Sequence, residues 1–178
     1  IDRAIKNKIP MIALFPNTNI KLKDKSGSEA LNENNLVSKA IVRIKKRYNN
    51  KIGIMCDVAL DPYTTHGHDG ILEKNEILND KTIEILIKQS LLQAQMGCDV
   101  IAPSDMMDGR IGEIRKELDK NGYENIQLLS YAVKYSSSFY GPFRDAVGSK
   151  KALQGNKKTY QMDYSNLNEA LREVSMDI

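Results

Sequence analysis

The chain predicts an alternating α/β fold of the (β/α)8, or TIM-barrel, type. Three observations carry the prediction: short apolar runs alternate with amphipathic helical patterns, the runs lack polar alternation, and polar residues collect just after each run. Such an order implies right-handed βαβ crossovers and a parallel sheet, and unbroken apolar runs suit strands covered on both faces. A doubly wound sheet would instead gather its site at one switch point behind a glycine-rich turn. No GxGxxG or P-loop pattern occurs here. Chemistry spread over several successive strand ends is the barrel layout. A whole barrel takes roughly 250 residues. The 178 residues therefore predict about its central half, with 1–178 forming part of a single catalytic domain.

The elements follow in order. Met11–Phe15 is the first strand, and Asn34-Asn35 precede a helix whose Leu36, Val37, Ala40, Ile41, Ile44 and Tyr48 recur at helical spacing. Ile52–Val58 is the second strand. Asp80 can cap a helix with inner residues Ile83, Leu86, Ile87, Leu91 and Ala94, closed by Gly97. Asp99–Pro103 is the third strand, and Ile111, Ile114 and Leu118 line a helix that stops at Asn121-Gly122. The fourth run, Ile126 to Lys134, leaves an amine at the end of a strand expected to be buried. The chain opens on Ile1 and closes at Ile178 inside an amphipathic stretch without a cap. Both ends are therefore expected to be cut.

Bulk composition excludes several classes. Hydrophobic residues at 41% and charged residues at 28% are ordinary for a soluble chain. The net charge of +3 comes with no basic face interleaved with aromatics, which argues against nucleic-acid binding. No apolar run approaches the roughly 20 residues of a membrane helix. Cys56 and Cys98 lie in apolar runs, so free buried thiols are expected, not a disulfide.

Four segments carry candidate chemistry. Asp57 to Gly70 packs Asp57, Asp61, Asp69, His66 and His68 into fourteen residues rich in turn formers. Hard oxygen ligands suit magnesium better than zinc, and a hydrogen-bonded loop without an ion is the equal alternative. In Ala102 to Arg110, Ser104 and Asp105 are either site residues or helix caps. Lys134 precedes Tyr135 to Asp145. A lysine attacks carbonyls as the free amine, a form favoured by burial or by a neighbouring cation. There it could form a Schiff base, as lysines of TIM-barrel aldolases do; position alone favours the plainer reading, a lysine snorkelling beside Asp145 or another acid. Arg144, after Gly141-Pro142-Phe143, could hold a carboxylate bidentately. Lys157, Lys158 and Gln161 offer further donors for a carboxylate, with a solvated basic loop as the plain alternative.

Together these segments resemble the porphobilinogen synthase (5-aminolevulinate dehydratase) family, from Ala13-Leu14-Phe15-Pro16 to Glu169-Ala170-Leu171-Arg172-Glu173. The resemblance implies a lyase of tetrapyrrole and haem synthesis that condenses two 5-aminolevulinate molecules to porphobilinogen through lysine Schiff bases. It assigns Lys134 to the first Schiff base, on the A side, with Asp57 and Ser104 lining the site. Arg144, Lys157 and Gln161 would hold the A-side carboxylate, and Tyr140 would be a site aromatic. Ala59, Asp61 and Asp69 stand where many members carry zinc-binding cysteines, so a Cys₃ zinc site cannot form. The chain resembles the zinc-independent, aspartate-rich branch. That implies magnesium: Glu173 as an allosteric ligand with Asp108 reached through water, and Asp61 and Asp69 as candidate ligands in the active site. The second Schiff-base lysine is expected on a strand after the helix holding Glu173. The alternative is therefore a catalytically incomplete fragment with a structural or assembly role. The resemblance further implies a homo-octamer or hexamer in the full-length protein, located in the cytoplasm or, with a transit peptide, in a plastid-type organelle.

Overall fold

The computed structural model describes residues 1–146 and 153–178. In chain order the elements are α1 (Asp2–Lys6), β1 (Met11–Leu14), α2 (Leu36–Tyr48), β2 (Gly53–Val58), β3 (Ile71–Glu73), β4 (Glu76–Leu78), α3 (Asn79–Met96) and β5 (Val100–Pro103). They continue with α4 (Arg110–Lys120), β6 (Gln127–Leu128), α5 (Gly141–Ala146) and α6 (Leu167–Asp177).

One sheet runs β1-β2-β5-β6, parallel throughout, with Met11 beside Gly53, Met55 beside Val100, and Val100 beside Gln127. Strands that neighbour in sequence order and connect through right-handed crossovers put their helices on one side. Contacts of α2 with α3 and α3 with α4 follow that arrangement. This is an arc of the expected barrel. Its core packs Ile41 of α2, Leu86 of α3, and Ile114 and Leu118 of α4 against Ile54, Val58 and Ile101, all buried. Lys45 of α2 adds a tie at the amino-terminal strand ends. Its ammonium lies 2.7 Å from both Asp99 oxygens, and Asp99 Oδ2 accepts the Ile54 N–H at 2.7 Å.

Helix punctuation mostly follows the sequence. The Asn35 side chain accepts the Ser38 N–H at 2.8 Å and starts α2. Gly97, at φ 102°, closes α3 in the left-handed region that glycine tolerates. Asp80 does not cap α3: the helix starts one residue earlier, directly from an antiparallel hairpin of β3 and β4. The hairpin turns through Lys74 and Asn75, both at positive φ, as a two-residue turn requires. Without a glycine there, its sequence signal is weak.

Burial on both faces holds only for the central strands. β5 is buried throughout, whereas β1 and β6 are half-exposed because each has a single strand neighbour among the described residues. Regular β6 is also much shorter than the run Ile126 to Lys134. The ladder nevertheless continues, since Leu129 N–H donates to Ile101 O at 3.0 Å and Tyr131 N–H to Pro103 O at 3.5 Å. Lys134 thus ends an extended, half-buried edge segment, not a buried strand. Cys56 and Cys98 are free and buried, as expected. Among the described residues no helix is long and apolar enough to cross a membrane.

Candidate active site

The site sits where β2, β5 and the segment after β6 end. Asp57 and Ala102 are register partners, and side chains two residues apart share a face, so Ser104 projects beside Asp57. The Ser104 hydroxyl donates to Asp57 Oδ1 at 2.5 Å. The Lys134 ammonium donates to the Ser104 carbonyl and stands 5.9 Å from the Tyr140 ring centroid. The structure thus brings Lys134, Asp57, Ser104 and Tyr140 together, from segments up to 83 residues apart (57 to 140). Ser104 and Asp105 do not cap α4, whose N-cap is Gly109 at φ 80°.

Burial pushes the Asp57 carboxyl up to about 7, with the Asp61 charge adding to the rise. The Ser104 hydroxyl and the Lys134 ammonium oppose it. That places Asp57 where a carboxyl can exchange a proton at neutral pH.

A second cluster adjoins the first. Lys157 Nζ lies 2.8 Å from Asp69 Oδ1 and 3.4 Å from Asp61 Oδ2. Burial pushes Asp61 up to about 6, reinforced by Asp69 and opposed by Lys157. Asp69 goes the other way: burial raises it, but the attraction of Lys157 and Lys134 outweighs burial and lowers it. Lys157 is raised correspondingly, because the two aspartates outweigh its own burial. Asp69 and Lys157 are therefore the ionised pair, and Asp61 is the carboxyl in excess. Lys23, half-buried after β1, also faces Asp61; burial lowers its proton affinity and Asp61 partly restores it.

What seats Lys157 is a hydrogen-bond chain that the sequence does not reveal. His68 Nε2 lies 2.7 Å from the Gln154 carbonyl, which can only accept, so Nε2 carries the proton. In the neutral imidazole Nδ1 then accepts, and the Tyr160 hydroxyl, 3.0 Å away, donates to it. The Tyr160 oxygen accepts the Asp69 N–H at 3.4 Å. Further along, Ser136 N–H donates to Met162 O at 2.8 Å, joining this segment to the one bearing Lys134. Gln161 is buried, and its Oε1 has no hydrogen-bond partner among the described residues. Arg144 belongs to α5, but its side chain lies outside the described residues.

The remaining candidates form a third group. Burial raises the Glu173 carboxyl on α6, and the negative charges of Asp108 and Asp177 raise it further, against Arg110. Arg110 is itself buried, ion-paired to Asp105 at 3.4 Å and to Asp177 at 3.9 Å, and it donates to Met107 O at 3.1 Å. Asp177 accepts the Ser130 hydroxyl, so Arg110 and Asp177 fasten α6 to the strand ends. Burial pushes Asp105 up to about 6 despite Arg110. A cavity of 620 Å³ opens on this side, against Asn79, Asp108, Thr159, Met162 and Glu169, and not at Lys134. Tyr160 and Arg110 had no sequence signal beyond lying in chemically dense segments. Among the described residues no three His, Cys, Asp or Glu side chains converge to hold a metal ion.

Comparison with known proteins agrees with the geometry. The family model described as delta-aminolevulinic acid dehydratase matches residues 1–178. The chain is 58% identical over 177 residues to the delta-aminolevulinic acid dehydratase of Bradyrhizobium diazoefficiens, covering 99% of this chain and 50% of that protein. It is 51% identical over 167 residues to the chloroplastic delta-aminolevulinic acid dehydratase 1 of Arabidopsis thaliana, covering 93% of this chain and 38% of that one. It is also similar to the crystal structure of the Toxoplasma gondii ME49 enzyme in complex with the reaction product porphobilinogen. That match has a TM-score of 0.92 at 41% identity, over 99% of this chain and 52% of the other. The chain spans between 38% and 52% of the length of these relatives.

Proposed function

Because the chain belongs to the delta-aminolevulinic acid dehydratase family, we propose that it supplies the Lys134 half of a porphobilinogen synthase barrel, condensing two 5-aminolevulinate molecules with loss of water. The observation that carries this reading is the placement of the Lys134 ammonium on the Ser104 carbonyl, with Ser104 in turn donating to Asp57. A free amine there attacks the substrate ketone, and loss of water from the adduct leaves a protonated imine. That imine withdraws electrons from the adjacent carbon, whose proton is then more easily removed. Expelling water requires a proton at the departing oxygen, and the Asp57 carboxyl, at about 7, can give and recover one. Arg144 and Gln161 hold the substrate carboxylate in this reading, because the Lys157 ammonium, expected there from the sequence, is already engaged by Asp61 and Asp69; Tyr140 flanks the amine. The complete barrel, with a second Schiff-base lysine, is the catalytic unit.

Magnesium fits the α6 group. Glu173 faces Asp108, Asp177 and Glu169, with Arg110 as the opposing cation. An ion touching Glu173 and reaching Asp108 through water would relieve that excess, and magnesium commonly keeps most of its waters. The full-length protein works as a homo-oligomer, an octamer or hexamer, in the cytoplasm or in a plastid. Its plant relatives are named as chloroplastic.

The test is to incubate full-length protein with 5-aminolevulinate, reduce with borohydride and map the modified peptide. A substrate-sized adduct on Lys134 is expected. An active enzyme in which Lys134 never carries an adduct would overturn the assignment.

A further inference from the structure

We infer that the Lys157 ammonium is the resident cation of the Asp61–Asp69 pair, occupying the place a divalent metal would take. Residue types alone make these two carboxylates candidate magnesium ligands; the geometry disagrees. Lys157 Nζ reaches one oxygen of each, at 2.8 and 3.4 Å, and the Lys157, Asp61 and Asp69 side chains are only 4%, 10% and 1% exposed. Magnesium demands oxygen ligands at about 2.0–2.1 Å in near-octahedral order and gives up its waters reluctantly. An ammonium already hydrogen-bonded between both carboxylates leaves no such position unless it is expelled, and the sealed surroundings leave little space for a hydrated ion.

Expulsion is opposed by how the lysine is seated. Its segment is fastened on one side by His68 Nε2–H to Gln154 O, and on the other by the chain from Asp69 N–H through the Tyr160 hydroxyl to His68 Nδ1. Ser136 N–H to Met162 O fixes it again beyond Gln161. Lys157 lies between these fastenings, so its head cannot leave the pair by a swing of a loose loop. A retained, desolvated ammonium without its carboxylates would be a costly buried charge. Lys157 thus offsets Asp69 from within the chain and occupies the position between the two carboxylates, and the α6 group is left as the place for a divalent ion.

The experiment uses full-length protein carrying Glu173→Gln, which removes the α6 ligand, with Mn²⁺ as the probe. Binding is followed by the electron paramagnetic resonance of free Mn²⁺ and by melting temperature. With Lys157 intact, adding Asp61→Asn should change neither the Mn²⁺ bound nor the response of melting to Mn²⁺. Asp61→Asn leaves Lys157 facing Asp69 as a balanced pair, so this comparison rests on a folded protein. Lys157→Met in the same background should gain one Mn²⁺ per chain and a melting temperature that climbs with Mn²⁺. A Lys157→Met protein that folds only when Mn²⁺ is added says the same. The inference is overturned if the Lys157-intact protein holds one Mn²⁺ per chain that Asp61→Asn abolishes, or if folded Lys157→Met gains none. Porphobilinogen formation plays no part in this readout, so failure of the catalytic reading would leave the result standing.

Discussion

Replacing Asp57 with Asn should stabilise the protein, and increasingly so as pH rises. The carboxyl is pushed from its ordinary 3.8 to about 7 by burial and by Asp61. Between those values the folded chain keeps a proton that the unfolded chain has released. Stability therefore falls as pH rises through the window, and the full cost is present above about pH 7. A rise of that size corresponds to about 4 kcal/mol, at about 1.4 kcal/mol per pH unit. Asn keeps the shape and an oxygen to accept the Ser104 hydroxyl, but carries no charge to desolvate. Melting temperatures of full-length parent and Asp57→Asn should diverge from pH 5 through 6 to 7 and level off towards pH 8, with less than half the gain present at pH 5. The same variant should lose most product formation. A melting difference that is flat with pH, or that shrinks as pH rises, would refute the buried-charge account of Asp57.

Three further outcomes follow from the same geometry. Arg110→Met leaves Asp105 buried without its cation and should cost about 3–5 kcal/mol in urea unfolding, with part regained when Asp105→Asn is added. Tyr160→Phe deletes the hydroxyl between Asp69 N–H and His68 Nδ1. Hydrogen exchange at the Asp69 amide should then quicken while the Ile54 and Ile101 amides keep their protection; equal loosening of all three would mean that the hydroxyl supports the whole sheet. Activity of the full-length enzyme should survive a zinc-selective chelator, since Ala59, Asp61 and Asp69 provide no thiolate; loss restored only by zinc would contradict this.

Local pattern made most of the fold legible. Apolar runs located β1, β2 and β5 to within a residue at either end, and Asn35, Gly97 and Gly122 punctuated the helices as their side chains or φ angles require. The strand ending at Lys134 was over-extended because apolar content reports burial, whereas regular pairing depends on a neighbour, and β6 has only β5 among the described residues. The β3–β4 hairpin escaped because its turn is Lys74-Asn75, without the glycine that marks such turns. In the candidate site, strand-end positions drew attention to Asp57, Ser104 and Lys134, and the family resemblance, not position, gave them roles. The partner of Lys157 was not: it lies 88 residues away at Asp69, and no periodicity encodes a contact at that separation. The tautomer of His68 was likewise hidden, since it is fixed only by Gln154 O on one ring nitrogen and the Tyr160 hydroxyl on the other.

The charge balance of the site follows from these long-range contacts. Three buried aspartates meet Lys134 and Lys157, with the half-buried Lys23 facing Asp61, and the pairing is unequal: Asp69 takes Lys157 at 2.8 Å, while Asp57 and Asp61 are left at about 7 and about 6. As pH falls through neutrality the shortfall in positive charge is met by a proton on Asp57 first and on Asp61 at lower pH. A metal ion supplying the same charge would hold the carboxylates ionised and leave them nothing to donate. Protons can be lent and recovered. The carbonyl chemistry proposed at Lys134 would need such a loan, because an amine and a ketone condense to an imine only when the departing oxygen leaves as water. Neutralising Asp69 from within the chain, while leaving Asp57 protonatable beside Ser104, thus puts an exchangeable proton next to the amine.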